Sequence, residues 1–170
     1  MAEPVTITVY GTPTPQGSKS GFAIKKGGAY TGRVAMVEGS GKSAAARQRM
    51  KDWRADVRSA ALAAMGEREA SVISDPGFPL DGPLAVTVTL TMPRPKTAPK
   101  TKRTWPCKRP DIDKLLRSVF DSLTTSGLFR DDAQIVYLTA AKCYPGETGA
   151  SATVLDAPGA VITIRAVTGP

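Results

Sequence analysis

Between Leu84 and Met92 the chain alternates without a break: Leu84, Val86, Val88, Leu90 and Met92 are separated by Ala85, Thr87, Thr89 and Thr91. A period of two over nine residues rich in β-branched side chains predicts a β-strand, and one this apolar belongs in the middle of a sheet. Directly afterwards Pro93, Pro95, Pro99, Pro106 and Pro110 interrupt the chain. Proline lacks the backbone donor that both helix and ladder need, so no regular element crosses residues 93–110. The strongest strand is thus followed by an irregular connection. At 170 residues the chain can bury one core, and a single domain over residues 1–170 is expected.

The other elements fall in place around that strand. Val5, Ile7 and Val9 alternate with Thr6, Thr8 and Tyr10, a half-buried strand. A Gly/Pro-rich stretch from Gly11 to Gly41, holding Lys19, Lys25, Lys26 and Arg33, reads as a loop. From about residue 42 to 65 Ala46, Met50, Trp53, Val57, Ala60 and Ala64 recur at steps of three and four, which marks the buried face of a helix; Ser40 or Ser43 could cap it. Arg47, Lys51, Arg54 and Arg58 follow the same steps on a neighbouring stripe, a solvated face or a phosphate contact. A second helix is predicted over 112–124, with Ile112, Leu115, Leu116, Val119, Phe120 and Leu123 inward and Gly127 beyond its end. Strands are predicted at 135–143 and 160–167. The order strand, helix, strand, helix, strand, strand implies an α/β or α+β domain, one mixed four-stranded sheet with helices packed on it.

Composition excludes several kinds of protein. With 41% apolar and 22% charged residues the chain is neither wholly disordered nor membrane-embedded, and no run approaches the ~20 apolar residues of a spanning helix. The first ten residues show no cationic region ahead of an apolar run, so a cytoplasmic location is expected. Cys107 and Cys143 are the two cysteines; without a local partner spacing they read as reduced thiols. Histidine is absent, which removes imidazole bases and the commonest transition-metal ligand. The net charge of +8 favours a polyanionic partner. Only Phe22, Tyr30, Trp53 and Trp105 stand near basic segments, too few for a dedicated single-strand binder.

Seven cations, Arg94, Lys96, Lys100, Lys102, Arg103, Lys108 and Arg109, share the proline-rich segment, which reads as an extended, mobile basic arm. Beside it lie five of the 15 acidic residues, Asp111, Asp113, Asp121, Asp131 and Asp132. Taken separately they have ordinary explanations. Asp111 could cap the second helix, Asp113 could favour its dipole, and Asp131-Asp132 could turn the chain before a strand. Taken together they suggest a site. A helix of 13 residues is about 20 Å long and residues 125–132 can reach back up to about 26 Å, so Asp132 can return to Asp111. Three converging carboxylates would repel by about 1 kcal/mol per pair at 4 Å in water. A hard divalent cation such as Mg²⁺, which takes oxygen ligands and bridges to phosphate, removes that cost. Arg117 follows Asp113 by one turn and Lys114 adjoins it, flanking the place of a phosphate.

The segments Lys108-Arg109-Pro110-Asp111-Ile112-Asp113-Lys114-Leu115, Phe120-Asp121-Ser122-Leu123 and Gly127-Leu128-Phe129-Arg130-Asp131-Asp132-Ala133-Gln134-Ile135 resemble, in order and spacing, the signature of the RusA family of Holliday junction resolvases. A fainter likeness to phage-borne members lies in Gly11-Thr12-Pro13-Thr14-Pro15-Gln16-Gly17-Ser18-Lys19 and in Trp53-Arg54. The resemblance implies a Mg²⁺-dependent endodeoxyribonuclease, with Mn²⁺ as a substitute, in which Asp111, Asp113 and Asp132 hold the metal. It implies a homodimer that resolves four-way DNA junctions by paired, symmetric cuts in recombination and repair. Arg117 stands where the family often has lysine; a guanidinium does not readily shuttle a proton, so a phosphate clamp is implied there. Lys114 stands where the family usually has asparagine. The cations expected to hold DNA are Lys102, Arg103, Lys108, Arg109, Lys114, Arg117, Arg54 and Lys19. Two other readings compete: a nuclease for flaps and branched DNA generally, and a non-catalytic nucleic-acid-binding module in which the acids only cap and turn.

Overall fold

The computed structural model describes residues 3–17, 19–38, 43–71, 77–99, 101–146 and 154–167. In chain order the elements are β1 (Val5–Tyr10), β2 (Lys19–Lys26), β3 (Ala29–Glu38), α1 (Ala44–Ser71), β4 (Leu84–Thr91), α2 (Ile112–Ser126), a single 3-10 turn (Asp132–Gln134), β5 (Ile135–Cys143) and β6 (Gly159–Ala166). The main sheet is mixed and four-stranded, in the order β1-β6-β4-β5, and β2 pairs with β3 in a separate two-stranded sheet. The expected α+β architecture is present.

Register explains why one face of the sheet carries the core. Ile7 lies opposite Ile162, Ile162 opposite Val88, and Val88 opposite Ala140, so one apolar row crosses all four strands. The next row, Thr6, Thr163, Thr87 and Thr139, points to the other side. The two helices close the apolar face: Trp53 and Val57 of α1 and Leu115, Val119 and Leu123 of α2 join Ile7, Val88, Leu90, Ile162 and Ile164 in one buried cluster. β4 is buried along nearly its whole length, as expected of an apolar strand in the middle of the sheet. Each fully buried Leu or Ile contributes roughly 1.5–3 kcal/mol of transfer free energy.

β4 and β5 run parallel, and parallel neighbours need a crossover connection. Here that connection contains α2, which travels from the exit of these strands back to their start. At the exit the Lys142 ammonium donates to the Pro110 carbonyl at 2.9 Å and to the Lys108 carbonyl at 3.3 Å. At the start the Leu80 amide donates to the Leu128 carbonyl at 2.8 Å. α2 stops where expected, at Gly127, whose φ of 82° is left-handed and whose amide reaches back to Leu123 and Thr124.

Three expectations are corrected. Residues 11–41 are not all loop: β2 and β3 form a hairpin whose two turn residues, Gly27 and Gly28, both have positive φ (59° and 85°), the geometry of a type I′ turn. Alternation failed to reveal it because Phe22, Ile24, Tyr30, Val34 and Met36 are all exposed, so no buried face imposes a period. α1 is longer than predicted, and Ala61 is fully buried while Ala60 and Ala64 only flank the core. Ser43 caps it, accepting from the Ala46 amide at 3.2 Å; Ser40 lies outside the described residues. Finally, the described residues of 93–110 form no helix or strand, as expected, yet parts of the segment are tied down. The Ala98 amide donates to the Pro95 carbonyl at 2.9 Å, Arg94 reaches the Pro99 carbonyl at 2.8 Å, and Pro106 is buried.

Candidate active site

Pro110 and Lys142 fix where α2 begins. Asp111 occupies the cap position with extended backbone (φ −70°, ψ 143°), but its side chain makes no capping bond. Its Oδ2 instead accepts from Lys114 Nζ at 2.8 Å. That hydrogen bond and the ammonium's charge hold the Asp111 carboxyl below the usual carboxylate range, with Arg109 and Lys142 adding to the effect. Lys114 is raised in return, chiefly by Asp111 and further by the charge of Asp113. Both carboxylates of the first turn therefore act on one ammonium. Asp113 and Arg117 are exposed on the same side of the helix.

Asp111 and Lys114 line a cleft of about 740 Å³ together with Arg49, Lys108, Arg109 and Lys142. Pro13 and Pro15 form one wall, Pro93, Pro95 and Pro106 another, and Met92 and Tyr144 complete the lining. Five cations around one carboxylate make this the natural seat of a phosphate chain. Gln16 fastens the first wall to α2: its amide donates to the Lys114 carbonyl at 2.9 Å and its Nε2 to Asp121 Oδ2 at 2.7 Å. Asp121 is thus an anchor for that loop. Arg49, Lys142 and Gln16 were missed from sequence. Arg49 lies off the cationic stripe of its helix, Lys142 looked like an ordinary strand lysine, and Gln16 acts through a partner 105 residues away.

The Asp131-Asp132-Ala133-Gln134 segment has a local logic of its own. Asp131 caps the 3-10 turn, accepting from the Ala133 amide at 2.8 Å. Gln134 Oε1 accepts from the Arg130 and Asp131 amides at 2.9 and 3.2 Å, while its Nε2 donates to the Leu80 and Gly82 carbonyls at 3.1 Å each. Both neighbours being occupied in this way, Asp132 is left exposed.

Asp132 does not return to Asp111 within the chain. Leu128 and Phe129 are fully buried beneath Leu80, so the connection after α2 docks where the helix ends and the return path is β5 itself. The length of α2, about 22 Å at ~1.5 Å per residue, separates Asp132 from the Asp111–Asp113 pair. Among the described residues no three His, Cys, Asp or Glu side chains are placed to hold a metal ion. The donor chemistry at Asp111 and Asp113, all carboxylate oxygen, suits a hard cation, but one chain does not provide the three-carboxylate cage.

The expected DNA contacts divide likewise. Lys108, Arg109 and Lys114 line the cleft and Arg117 stands beside it, one turn along the same helix face. Lys102 and Arg103 are exposed outside its lining, with Arg103 stacked on Trp105 at 4.0 Å from the ring centroid. Arg54 lies elsewhere, in a groove between the helices with Lys51 and Arg58. The Lys19 side chain falls outside the described part of the chain. Trp53 is buried in the core. Both cysteines are free thiols. No described helix is long and apolar enough to cross a membrane.

No curated protein matches the sequence. The family model for endodeoxyribonuclease RusA matches residues 29–154, which span α1, the cleft-lining segment, α2 and the Asp131–Gln134 turn. Together with the fold and the basic cleft, this match shows that the chain belongs to the RusA family of Holliday junction endodeoxyribonucleases, enzymes that hydrolyse DNA phosphodiester bonds.

Proposed function

We propose that this chain is a Mg²⁺-dependent nuclease that cuts four-way DNA junctions by paired incisions during recombination and repair, acting as a homodimer and accepting Mn²⁺ in place of Mg²⁺. The observation that carries the reading is Asp111, with Asp113 two residues on in the first turn of α2, lining a cleft that also holds five cations. Arg49, Lys108, Arg109 and Lys142 draw the DNA backbone into the cleft by displacing its counterions. Arg117 clamps a phosphate from the α2 side, its planar fork matching phosphate oxygens. Asp111 and Asp113 would hold the divalent cation, which when bound supplies the acidity that makes water a nucleophile near neutral pH. Lys114, which donates to Asp111 at 2.8 Å, would stand beside the phosphate as a further cation.

The test is cleavage of a synthetic mobile junction with Mg²⁺, with EDTA and by the Asp113→Asn variant. Cutting is expected only in the first case. Loss in the variant should exceed the about 10–100-fold that removing a mere hydrogen-bond partner of a metal ligand costs, with junction binding kept. Mg²⁺-dependent cutting that survives Asp113→Asn would refute the site. Flaps and forks cut as fast as junctions would widen the substrate to branched DNA generally, and binding without product under any divalent ion would leave a non-catalytic module.

A further inference from the structure

Of the chain's two tryptophans, Trp53 is 1% exposed in the core and Trp105 is 55% exposed. An indole left this open to water forgoes much of the stabilisation that burying so large an apolar surface brings. The ring does not hang on a slack segment. Pro106, the next residue, is buried and lines the cleft, the Cys107 amide donates to the Trp105 carbonyl at 2.8 Å, and the Lys142 ammonium holds the Lys108 and Pro110 carbonyls. Trp105 is thus carried on an anchored turn at the rim of the basic cleft. The Arg103 guanidinium lies 4.0 Å from its ring centroid, a cation–π contact that restrains the ring and sets a positive charge beside it. Lys108 and Arg109, just beyond in the chain, line the cleft itself.

The part of DNA that matches an open indole is the face of a base. In continuous duplex each base is covered above and below by its neighbours, and protein reaches only its edges in the grooves. An aromatic ring can cover a base only where that base has already lost a neighbour, or where it is drawn out at a cost in stacking energy. Branch points supply such bases and uninterrupted duplex does not. We propose that Trp105 is the platform on which one base at the branch point of the DNA stacks, with Arg103 beside it for that nucleotide's phosphate, and that this contact selects branched over continuous duplex. The cations of the cleft attract any phosphate chain alike, so they supply affinity without making this choice. A single ring takes a single base, far short of the successive platforms of a single-strand binder, and because every base has a π-face the selection is by structure and not by sequence. The platform rests on the nuclease reading for its substrate, branched DNA, but it is read from binding alone, so stacking and cutting can fail separately.

The test follows tryptophan fluorescence in EDTA, which withholds the divalent ion, as DNA is added. A four-way junction should quench the emission of wild type, and Trp105→Phe should abolish the signal, since Trp53 is out of reach in the core. A relaxed, covalently closed duplex circle, which has neither ends nor branches, should leave the emission unchanged. Binding to a fluorescein-labelled junction, followed by anisotropy, should weaken by about 5- to 150-fold in Trp105→Leu and far less in Trp105→Phe, which keeps an aromatic face; competition by the circle should be the same for all three proteins. A junction with abasic residues at its branch point should bind wild type as weakly as the intact junction binds Trp105→Leu, and should bind that variant no worse, because both changes remove one contact. Three results would each overturn the platform: quenching by the circle as strong as by the junction, equal junction affinity of wild type and Trp105→Leu, or parallel loss of junction and circle binding in variants with wild-type circular dichroism. A preference for the intact over the abasic junction that persists in Trp105→Leu would overturn it too. Wild type that shows the quench and the Leu effect yet cuts under no divalent ion would refute the nuclease reading and leave the platform standing.

Discussion

Lys114 is the residue on which the electrostatics of the site turn. Its ammonium lowers the Asp111 pKa and is raised in turn. The depressed carboxyl contributes stability above its unfolded pKa, lost as pH falls through the lower folded value. The raised ammonium contributes below its unfolded pKa, lost as pH rises through the higher folded one. The pair is therefore intact across the whole neutral range, but it is exposed and adds little to stability. Lys114→Met should return the Asp111 titration, followed by carboxyl NMR, toward the ordinary carboxylate range while the melting temperature at neutral pH stays put. A second residue-scale prediction concerns Gln134, whose side chain makes four hydrogen bonds. Gln134→Ala should cost about 1–3 kcal/mol, a melting-point drop of roughly 2–4 °C per kcal/mol in thermal denaturation. It should also lower cleavage by loosening the turn that presents Asp132. Asp131 and Gln134 show how part of a motif serves the backbone: the two flanking residues build the turn and leave the Asp132 carboxylate exposed.

Among the elements, the β2–β3 hairpin stands apart. Its strands pair only with each other, its apolar side chains face solvent, and the Lys25 ammonium lies 4.5 Å from the Tyr30 ring centroid. Replacing residues 20–37 by Asn-Gly keeps Lys19 opposite Glu38 and supplies residues suited to a two-residue turn. The shortened protein should melt within about 0.5 kcal/mol of the parent, because none of the described side chains it removes belongs to the core. A large loss of stability would show that the hairpin packs on the sheet. α2 is the contrary case, legible from sequence to within two residues because its buried face, its start after Pro110 and its stop at Gly127 all agree. The hairpin had no such agreement among levels, and only its glycine turn signalled it.

For the whole molecule, five cations in one cleft predict DNA binding dominated by counterion release. The slope of log affinity against log salt should steepen by about 0.9 for each phosphate neutralised, and Lys108→Ala should reduce it by about one, measured by fluorescence anisotropy across a salt series. An unchanged slope would place the DNA elsewhere. By itself the sequence determined the strands and helices that bury a face, since burial imposes a period that can be read along the chain. It also determined the family, through the residues from Lys108 to Ile135, and the exclusion of imidazole chemistry that follows from having no histidine. Tertiary structure alone decided which of those residues meet. Arg49 and Lys142 enter the cleft through packing between elements distant in the chain. Asp132 is kept from Asp111 because Leu128 and Phe129 bury themselves at the end of α2. Reach along a connection sets only the farthest point a residue can attain; where it comes to rest is settled by the apolar side chains that the same connection must hide from water.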